Sequence, residues 1–282
     1  MIIVDGQAHL WKANSPERPW SACFVPAHRR ESMPKETLLA EMDQAGVTRA
    51  LLIIPPWEGY THDLPLEAAR THPDRFAMMG RLAVECADSK ALIARWKDCR
   101  GMFGIRLTFH TPALRAWLTD GTADWLWPAA ERAGIPLSVL TPGALAAVAT
   151  IAERHPGLKL CVDHLALPAG VKDDAAFADL PSLLALAKYP NVSVKAGALP
   201  CYSSEPYPYP RLHKYLQQVF DAFGPERIFW ASDVTRLTSS YRQCVTLFTE
   251  ALAFLGARDK ELIMGEALCK WLGWPLPQGA PS

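Results

Sequence analysis

The chain opens with Ile2-Ile3-Val4-Asp5-Gly6-Gln7-Ala8-His9-Leu10-Trp11, an apolar run that ends in polar side chains. Short apolar runs rich in Ile and Val are typical of buried parallel strands, so this stretch predicts a strand over 2–9. Side chains along a strand alternate between its faces, and Gln7 and His9 therefore point the same way. Asp5 lies on their side but one step deeper, which favours a structural role.

Similar apolar runs recur along the chain, each followed by an amphipathic segment. The predicted strands cover 2–9, 49–54, 76–82, 102–109, 135–140, 158–163, 191–196 and 227–232. The predicted helices cover 35–45, 63–71, 89–98, 122–133, 143–155, 179–188, 209–223, 239–255 and 259–272. Eight alternations over about 250 residues predict an α/β fold, a single (β/α)8 TIM barrel with an extra C-terminal helix, over residues 1–282. A doubly wound sheet is the alternative, because periodicity does not distinguish a closed sheet from an open one.

Composition argues against several classes of function. Lys and Arg number 29, as do Asp and Glu, so there is no positive excess to bind nucleic acid. No apolar run reaches the roughly 20 residues that cross a membrane, and the chain begins without the basic region of a secretory signal. Seven scattered cysteines without C-x-x-C spacing predict reduced thiols in a cytoplasmic protein.

Polar residues stand at the ends of several predicted strands. They are Gln7, His9, Arg106, Thr141, His164, Lys195, Asp233 and Arg236. In a TIM barrel the active site lies at the C-terminal ends of the strands, and charged side chains are costly to bury unless they are paired. Taken singly, each residue has a structural interpretation, such as an ion pair of Arg106 with Asp163 or Glu58. Together they predict an active site.

These strand ends resemble the amidohydrolase superfamily, in particular its amidohydrolase 2 branch. The resemblance rests on Asp5-Gly6-Gln7-Ala8-His9-Leu10-Trp11, Gly104-Ile105-Arg106-Leu107, Val162-Asp163-His164-Leu165, Asn191-Val192-Ser193-Val194-Lys195, Trp230-Ala231-Ser232-Asp233 and the terminal Gly265-Glu266-Ala267. It spans nearly the whole chain. The branch contains sugar-lactone hydrolases, 2-pyrone-4,6-dicarboxylate lactonase and non-oxidative decarboxylases, so the resemblance implies an enzyme, most simply a hydrolase.

The resemblance carries over residue by residue only in part. His9 matches the second histidine of the first-strand motif, His164 the sixth-strand histidine, and Asp233 the aspartate that orients or deprotonates the attacking water. Arg106 matches a substrate-side arginine. Gln7 stands where the family has its first histidine, and Thr141 where decarboxylases have a fifth-strand histidine.

The departure at Gln7 bears on metal binding. His9, His164 and Asp233 would supply three ligands for a divalent zinc or manganese ion, but the amide of Gln7 is a weak ligand for zinc. The resemblance permits a metal-free reaction, since its pyrone dicarboxylate lactonase members are understood to work without a metal. No cofactor is therefore the leading expectation, with a divalent metal as the alternative.

The residues together predict a hydrolase that opens a lactone or cyclic ester of a small carboxylated or hydroxylated compound. Asp233 is predicted to be the general base, and His9, His164 and Lys195 to assist at the carbonyl oxygen. The predicted substrate-binding residues are Arg106, Gln7, Arg236, Tyr202 and Trp57. His28 and the Arg29-Arg30 pair in the first loop are expected to be solvated.

Two other functions stay open at this point. They are a metal-dependent decarboxylase of an aromatic acid and a non-catalytic ligand-binding barrel. A homo-oligomer is also left open by Trp117, Trp125 and Trp127, although core packing is the preferred interpretation of these tryptophans.

Overall fold

Eight parallel strands follow one another around the sheet in chain order in the computed structural model, which describes residues 1–21, 28 and 30–276. The strands are β1 Val4–Ala8, β2 Arg49–Ile53, β3 Phe76–Gly80, β4 Met102–Thr108, β5 Leu137–Leu140, β6 Leu160–Val162, β7 Val192–Gly197 and β8 Ile228–Ala231. Each lies within a predicted strand or extends it by one residue. The closed-barrel prediction is confirmed, because β8 returns to lie beside β1.

Helices connect the strands and cover the outside of the barrel. They are α1 Lys35–Ala45, α2 Asp63–Thr71, α3 Ser89–Ile93, α4 Pro112–Ala116, α5 Leu126–Ala133, α6 Leu145–Arg154, α7 Asp173–Ala176, α8 Leu180–Leu184, α9 Pro210–Phe223, α10 Tyr241–Thr246, α11 Ala257–Glu261 and α12 Ala267–Leu272. The predicted helix 239–255 is shorter, with α10 running into a π-helical turn at Leu247–Ala251. The predicted helix 259–272 is interrupted near Gly265, where a Cβ atom would lie 2.7 Å from Val4 Cγ2. Close packing on β1 therefore breaks this helix into α11 and α12.

The two ends of the barrel interior differ in chemistry. Apolar side chains fill the lower end, among them Leu51, Met79 and Phe229, and α12 packs against them. Above them lies a polar layer that includes Arg106 and Ser138, which are in register on neighbouring strands, and Lys195, whose Nζ lies 3.3 Å from Ser138 Oγ. This layer is the floor of the mouth formed by the C-terminal ends of the strands.

The junction of β1 and β8 combines a backbone hydrogen bond, from the Asp233 amide to the Gln7 carbonyl oxygen at 3.0 Å, with bonds to one side chain. The Asp5 carboxylate accepts hydrogen bonds from the Ser232 amide at 2.8 Å, from the Ser232 hydroxyl, and from the Tyr241 hydroxyl at 2.5 Å. The strands also approach so closely that a Cβ atom on Gly6 would lie 2.8 Å from the Trp230 carbonyl oxygen. Asp5 therefore stabilises the junction of β1 and β8, in line with the structural role expected from its depth in β1.

The three tryptophans considered for an interface lie against the core. Trp127 is buried, and Trp117 and Trp125 are partly buried against the same apolar cluster. The core-packing interpretation is confirmed for them. Among the helices of the described residues, none is long and apolar enough to cross a membrane.

Candidate active site

Three consecutive strands end in residues with left-handed backbone conformation at the mouth. His164 follows β6 with φ 51°, Ala198 follows β7 with φ 54°, and Asp233 follows β8 with φ 50°. Residues with a side chain rarely adopt this conformation, and such strain concentrates at functional sites. Asp233 and His164 come to lie in contact, with Oδ2 of the first 3.7 Å from Nε2 of the second.

Asp233 is the carboxylate at the centre of the mouth. Its Oδ1 lies 3.2 Å from His9 Nε2, and its Oδ2 lies 3.2 Å from Arg236 Nη1. Burial raises the pKa of Asp233, but His9 and Arg236 outweigh burial and hold it well below the ordinary value. Asp233 is therefore ionised at neutral pH.

The orientation of His9 follows from a backbone contact. Its Nδ1 lies 2.7 Å from the Ile53 carbonyl oxygen, which only accepts, so Nδ1 carries a proton and donates. The other nitrogen, Nε2, faces Asp233 Oδ1 closely enough for an ion pair but without hydrogen-bond alignment, and Oδ1 has no hydrogen-bond partner among the described residues. In a neutral His9 with its proton on Nδ1, Nε2 is an acceptor like Asp233 Oδ1. Two acceptors 3.2 Å apart need a proton or a cation between them.

Gln7 lies between a lysine and a histidine. Lys195 Nζ donates to Gln7 Oε1 at 3.2 Å, and Gln7 Nε2 lies 3.0 Å from His164 Nε2. A lysine ammonium only donates, so the amide oxygen must face Lys195 and the amide nitrogen must donate to His164. His164 Nε2 is therefore an acceptor, and the ring proton is on Nδ1.

Burial makes His164 a neutral residue. It lowers the pKa of His164 to about 4, with Arg236 adding to the effect and Asp233 opposing it. With its proton on Nδ1, His164 has none at the nitrogen that faces Asp233. Its predicted donation to a carbonyl oxygen has no support in this geometry and stays a prediction.

Lys195 is 1% exposed and is held by an acidic partner below the mouth. Its Nζ lies 2.6 Å from Asp163 Oδ1 and 3.3 Å from Ser138 Oγ. Arg106 Nε donates to the other oxygen of Asp163 at 3.0 Å, which is the ion pair considered from the sequence. Burial raises the pKa of Asp163, but Lys195 and Arg106 together hold it well below the ordinary value. With Gln7, Asp163 and Ser138 as partners, all three ammonium hydrogens of Lys195 are taken, which favours a positioning role.

His28 is buried, so the expectation of a solvated histidine was wrong. It is 6% exposed, its Nδ1 lies 2.7 Å from Thr235 Oγ1, and its ring meets His9 edge-on at 5.4 Å. Trp57 covers it at 4.7 Å between ring centroids. Burial lowers the pKa of His28 to about 3, opposed by Asp233. No local pattern in the sequence of this loop showed that His28 enters the mouth.

The remaining predicted residues lie around this centre. Tyr202 is buried beside Arg236 and hydrogen-bonds to it. Arg236 Nε is buried without a hydrogen-bond partner among the described residues, so one donor of this guanidinium is available to a ligand. Trp57 lies behind His28. Arg30, also expected to be solvated, instead pairs with Glu41 at 2.6 Å and is half-buried. Its neighbour Arg29 lies outside the described residues.

The residues that would hold a metal differ from the predicted set. Ligand atoms of His9, His28 and Asp233 all lie within 4.8 Å of one another. His164 is next to this group, but its Nε2 accepts the Gln7 amide proton. The fold thus brings the predicted residues His9, His164 and Asp233 close together. However, His28 takes the place of His164 as the third candidate ligand, because His164 is bonded to Gln7.

The family model for amidohydrolases matches residues 4–268. The chain belongs to the amidohydrolase family. This match confirms the resemblance read from the strand ends and the prediction of an enzyme of the hydrolase type.

Individual relatives cover nearly the full length. L-fucono-1,5-lactonase of Burkholderia ambifaria is 29% identical over 296 residues, which is 98% of this chain and 97% of the relative. An amidohydrolase of Burkholderia multivorans with bound zinc has a TM-score of 0.81 at 20% identity, over 98% of this chain and 100% of that one. The 5-carboxyvanillate decarboxylase of Sphingomonas paucimobilis has a TM-score of 0.70 at 16% identity, over 96% of this chain and 99% of that one. At these identities the two structures show the shared fold alone.

Proposed function

We propose that this amidohydrolase opens a lactone of a small hydroxylated or carboxylated compound, by attack of water on the ring carbonyl. The observation that carries the proposal is the ionised Asp233 carboxylate, held between His9 and Arg236 at the mouth of the barrel. The similarity to a sugar lactonase along the whole chain supports the same reaction.

Asp233 orients the attacking water and accepts its proton as the oxygen bonds to the carbonyl carbon. The low pKa of Asp233 makes it a weak base, so water positioning is its larger contribution. The ring C–O bond then breaks, the ring oxygen takes up the proton held by Asp233 to become a hydroxyl, and the new carboxyl group releases its remaining proton to the solvent. The products are a carboxylate and an alcohol on one open chain.

The developing negative charge on the carbonyl oxygen needs donors already in place. Arg236 supplies one, because its buried Nε has no hydrogen-bond partner among the described residues and its Nη1 is anchored on Asp233. His9 is fixed by Ile53 on the opposite side of the same carboxylate. Lys195 and Gln7 act one step away, by holding His164.

A divalent metal fits the residues present. His9, His28 and Asp233 offer nitrogen and carboxylate ligands, the Asp233 Oδ1 atom lacks a hydrogen-bond partner, and Nδ1 of each histidine is oriented by Ile53 or Thr235. Such an ion, when bound, would polarise the carbonyl or lower the pKa of a water. The metal-free reaction was expected because the amide of Gln7 replaces a histidine. That expectation stays a prediction.

Two alternative functions stay predictions. The fold is shared with a decarboxylase, but the end of β5 carries Thr141 where a decarboxylase would have a histidine. A barrel that binds without turnover would show affinity for a lactone and no product. A cytoplasmic location and a homo-oligomer likewise stay predictions.

Hydrolysis of 1,5-lactones by the purified protein tests the proposal. Proton release would be followed with a pH indicator and corrected for spontaneous ring opening. We expect turnover that depends on Asp233. Release of carbon dioxide from an aromatic acid, with no lactone hydrolysed, would contradict the proposal.

A further inference from the structure

A buried tyrosine of helix α10 is bonded to the strand that carries Gln7. Tyr241 is the first residue of α10, and Ser240 before it caps the helix. The tyrosine is 8% exposed, and its ring stacks on Trp230 of β8 with 6.4 Å between the ring centroids and 18° between the planes. Its hydroxyl donates to Oδ2 of Asp5 at 2.5 Å. One hydroxyl thus ties α10 to β1.

The carboxylate that receives this bond uses every acceptor position it has. Oδ1 of Asp5 accepts from two backbone amides, those of Gln7 at 2.9 Å and Ser232 at 2.8 Å. Oδ2 accepts from two hydroxyls, those of Ser232 and Tyr241. An ionised carboxylate has about four acceptor positions, so the four bonds fill them. Loss of the tyrosine hydroxyl would leave one acceptor position of a fully buried carboxylate empty, and Asp5 would shift to satisfy it.

The two amides that Asp5 binds belong to the backbone of the active site. One is the amide of Gln7, whose side chain contacts His164. The other is the amide of Ser232, the residue directly before Asp233. The next amide, that of Asp233 itself, donates to the Gln7 carbonyl oxygen at 3.0 Å. Asp5 therefore fixes the backbones of Gln7 and Asp233 relative to each other.

The backbone at Asp233 needs such support. Its φ of 50° lies in the left-handed region, which a residue with a side chain rarely adopts. A conformation of this kind persists only where the surrounding structure holds it in place. The bonds that the Ser232 and Asp233 amides make to β1 supply part of that support. The Asp233 carboxylate lies 3.2 Å from His9 Nε2 and from Arg236 Nη1, so a shift of this backbone would change both distances.

We propose that Tyr241 is a positioning residue for lactone hydrolysis, and that it acts through Asp5 on the backbones that carry Gln7 and Asp233. The inference rests on the proposed function and adds helix α10 to the parts of the chain that determine the rate. Misplacing a group that must align water with a carbonyl by about 1 Å can cost about a hundredfold in rate. The effect of Tyr241 is therefore on kcat rather than on KM.

Tyr241→Phe tests the inference, because it removes the hydroxyl and keeps the ring. We expect kcat for a 1,5-lactone to fall about tenfold to a hundredfold, with KM within about threefold of wild type. Tyr215→Phe is the matched control, since the Tyr215 hydroxyl also donates to an aspartate at 2.5 Å but does so to Asp174 in an exposed pair. The control should keep the wild-type kcat, and thermal unfolding would be checked for both variants.

A purely structural tyrosine would give a different result. Its loss would lower the unfolding temperature and leave kcat of the folded enzyme unchanged. Wild-type kcat in Tyr241→Phe, an equal loss in Tyr215→Phe, or a loss through KM alone would therefore overturn the positioning role. If Tyr241→Phe does not fold, Ser232→Ala removes the other hydroxyl donor to Oδ2 of Asp5. That variant should show the same loss of kcat, and an unchanged kcat would overturn the role.

Hydrogen exchange measured by NMR needs no substrate. The amide protons of Gln7 and Ser232 should exchange faster in Tyr241→Phe than in the wild type, and at the wild-type rate in Tyr215→Phe. Unchanged exchange in Tyr241→Phe would overturn the link through Asp5. A wild-type protein that hydrolyses no 1,5-lactone would instead overturn the proposed function, and the exchange rates would still decide whether Tyr241 holds these two amides.

Discussion

Lys195 Nζ lies 3.2 Å from Gln7 Oε1, although the two residues are 188 positions apart in the chain. Through this contact the lysine orients the amide, and the amide nitrogen donates to His164 Nε2. A glutamine in place of a family histidine therefore has a defined task. It connects the Asp163–Lys195 ion pair to His164. The lysine fixes the orientation of the amide, and the amide fixes which ring nitrogen of His164 carries the proton.

Replacing Lys195 should destabilise the fold as well as the site. Lys195→Met leaves Asp163 buried with only Arg106 as a charged partner, at a cost of about 3–5 kcal/mol in the free energy of unfolding. Urea denaturation measures this. Lys188→Met, which changes an exposed lysine, is the control and should stay within about 0.5 kcal/mol of wild type. Equal stability of the two variants would contradict the ion pair.

Gln7→Glu should raise the pKa of His164. A carboxylate beside the ring favours the imidazolium, whereas the wild-type amide donates to the neutral form. Titration of nitrogen-15-labelled histidine by NMR measures the shift, and the wild-type spectrum should show the proton on Nδ1. Gln44→Glu, at an exposed position of α1, should leave the His164 resonances unchanged. A wild-type proton on Nε2 would disprove the assigned orientation of Gln7.

Asp233→Asn should lower kcat for lactone hydrolysis by about 10²–10⁴-fold, the range for loss of a positioned proton acceptor. Asparagine has nearly the same shape as aspartate, so KM should change little. Asp174→Asn, at an exposed carboxylate on α7, serves as control. Near-normal turnover by the Asp233 variant would remove this residue from the reaction.

Chelation should leave lactone hydrolysis in place if the Gln7 amide has replaced a metal ligand. Metal content by mass spectrometry and activity after dialysis against a chelator test this. If the protein instead contains stoichiometric zinc or manganese and loses activity on dialysis, the metal-free prediction is wrong. In that case His28→Ala should lower the cobalt affinity, read from visible absorption, more than His164→Gln does.

Stability should fall as the pH is lowered from about 6.5 toward 4. The pKa of His164 is lowered to about 4 in the folded protein from about 6.5 in the unfolded chain, so the unfolded chain binds the proton first. The contribution to the loss reaches about 3 kcal/mol near pH 4 and is absent above pH 7. Urea unfolding at several pH values should show a shallower slope for His164→Gln than for the control His213→Gln. Parallel slopes would contradict the neutral, buried state of His164.

The strands were predictable because each is a run of apolar residues that needs no distant partner to be recognised. Gly46 directly after α1 adopts the left-handed conformation, which glycine reaches without strain and which commonly ends a helix. Because the active site of a TIM barrel lies at the C-terminal ends of its strands, Gln7, His9, His164 and Asp233 could be assigned to one mouth. Prediction failed for His28, because a loop has no periodicity and burial of its side chains depends on what they meet.

The sequence by itself determined the eight alternations of strand and helix, the resemblance to the family and the polar residues at the strand ends, because alternation of apolar and amphipathic segments and the direction of side chains along a strand are local properties. Tertiary structure alone decided that the sheet closes and which partners each polar residue meets. Lys195 is tied to Gln7, His164 is left without a proton toward Asp233, and His28 enters beside His9. The physical reason is that hydrogen-bond partners, burial and pKa are set by residues brought together from distant parts of the chain.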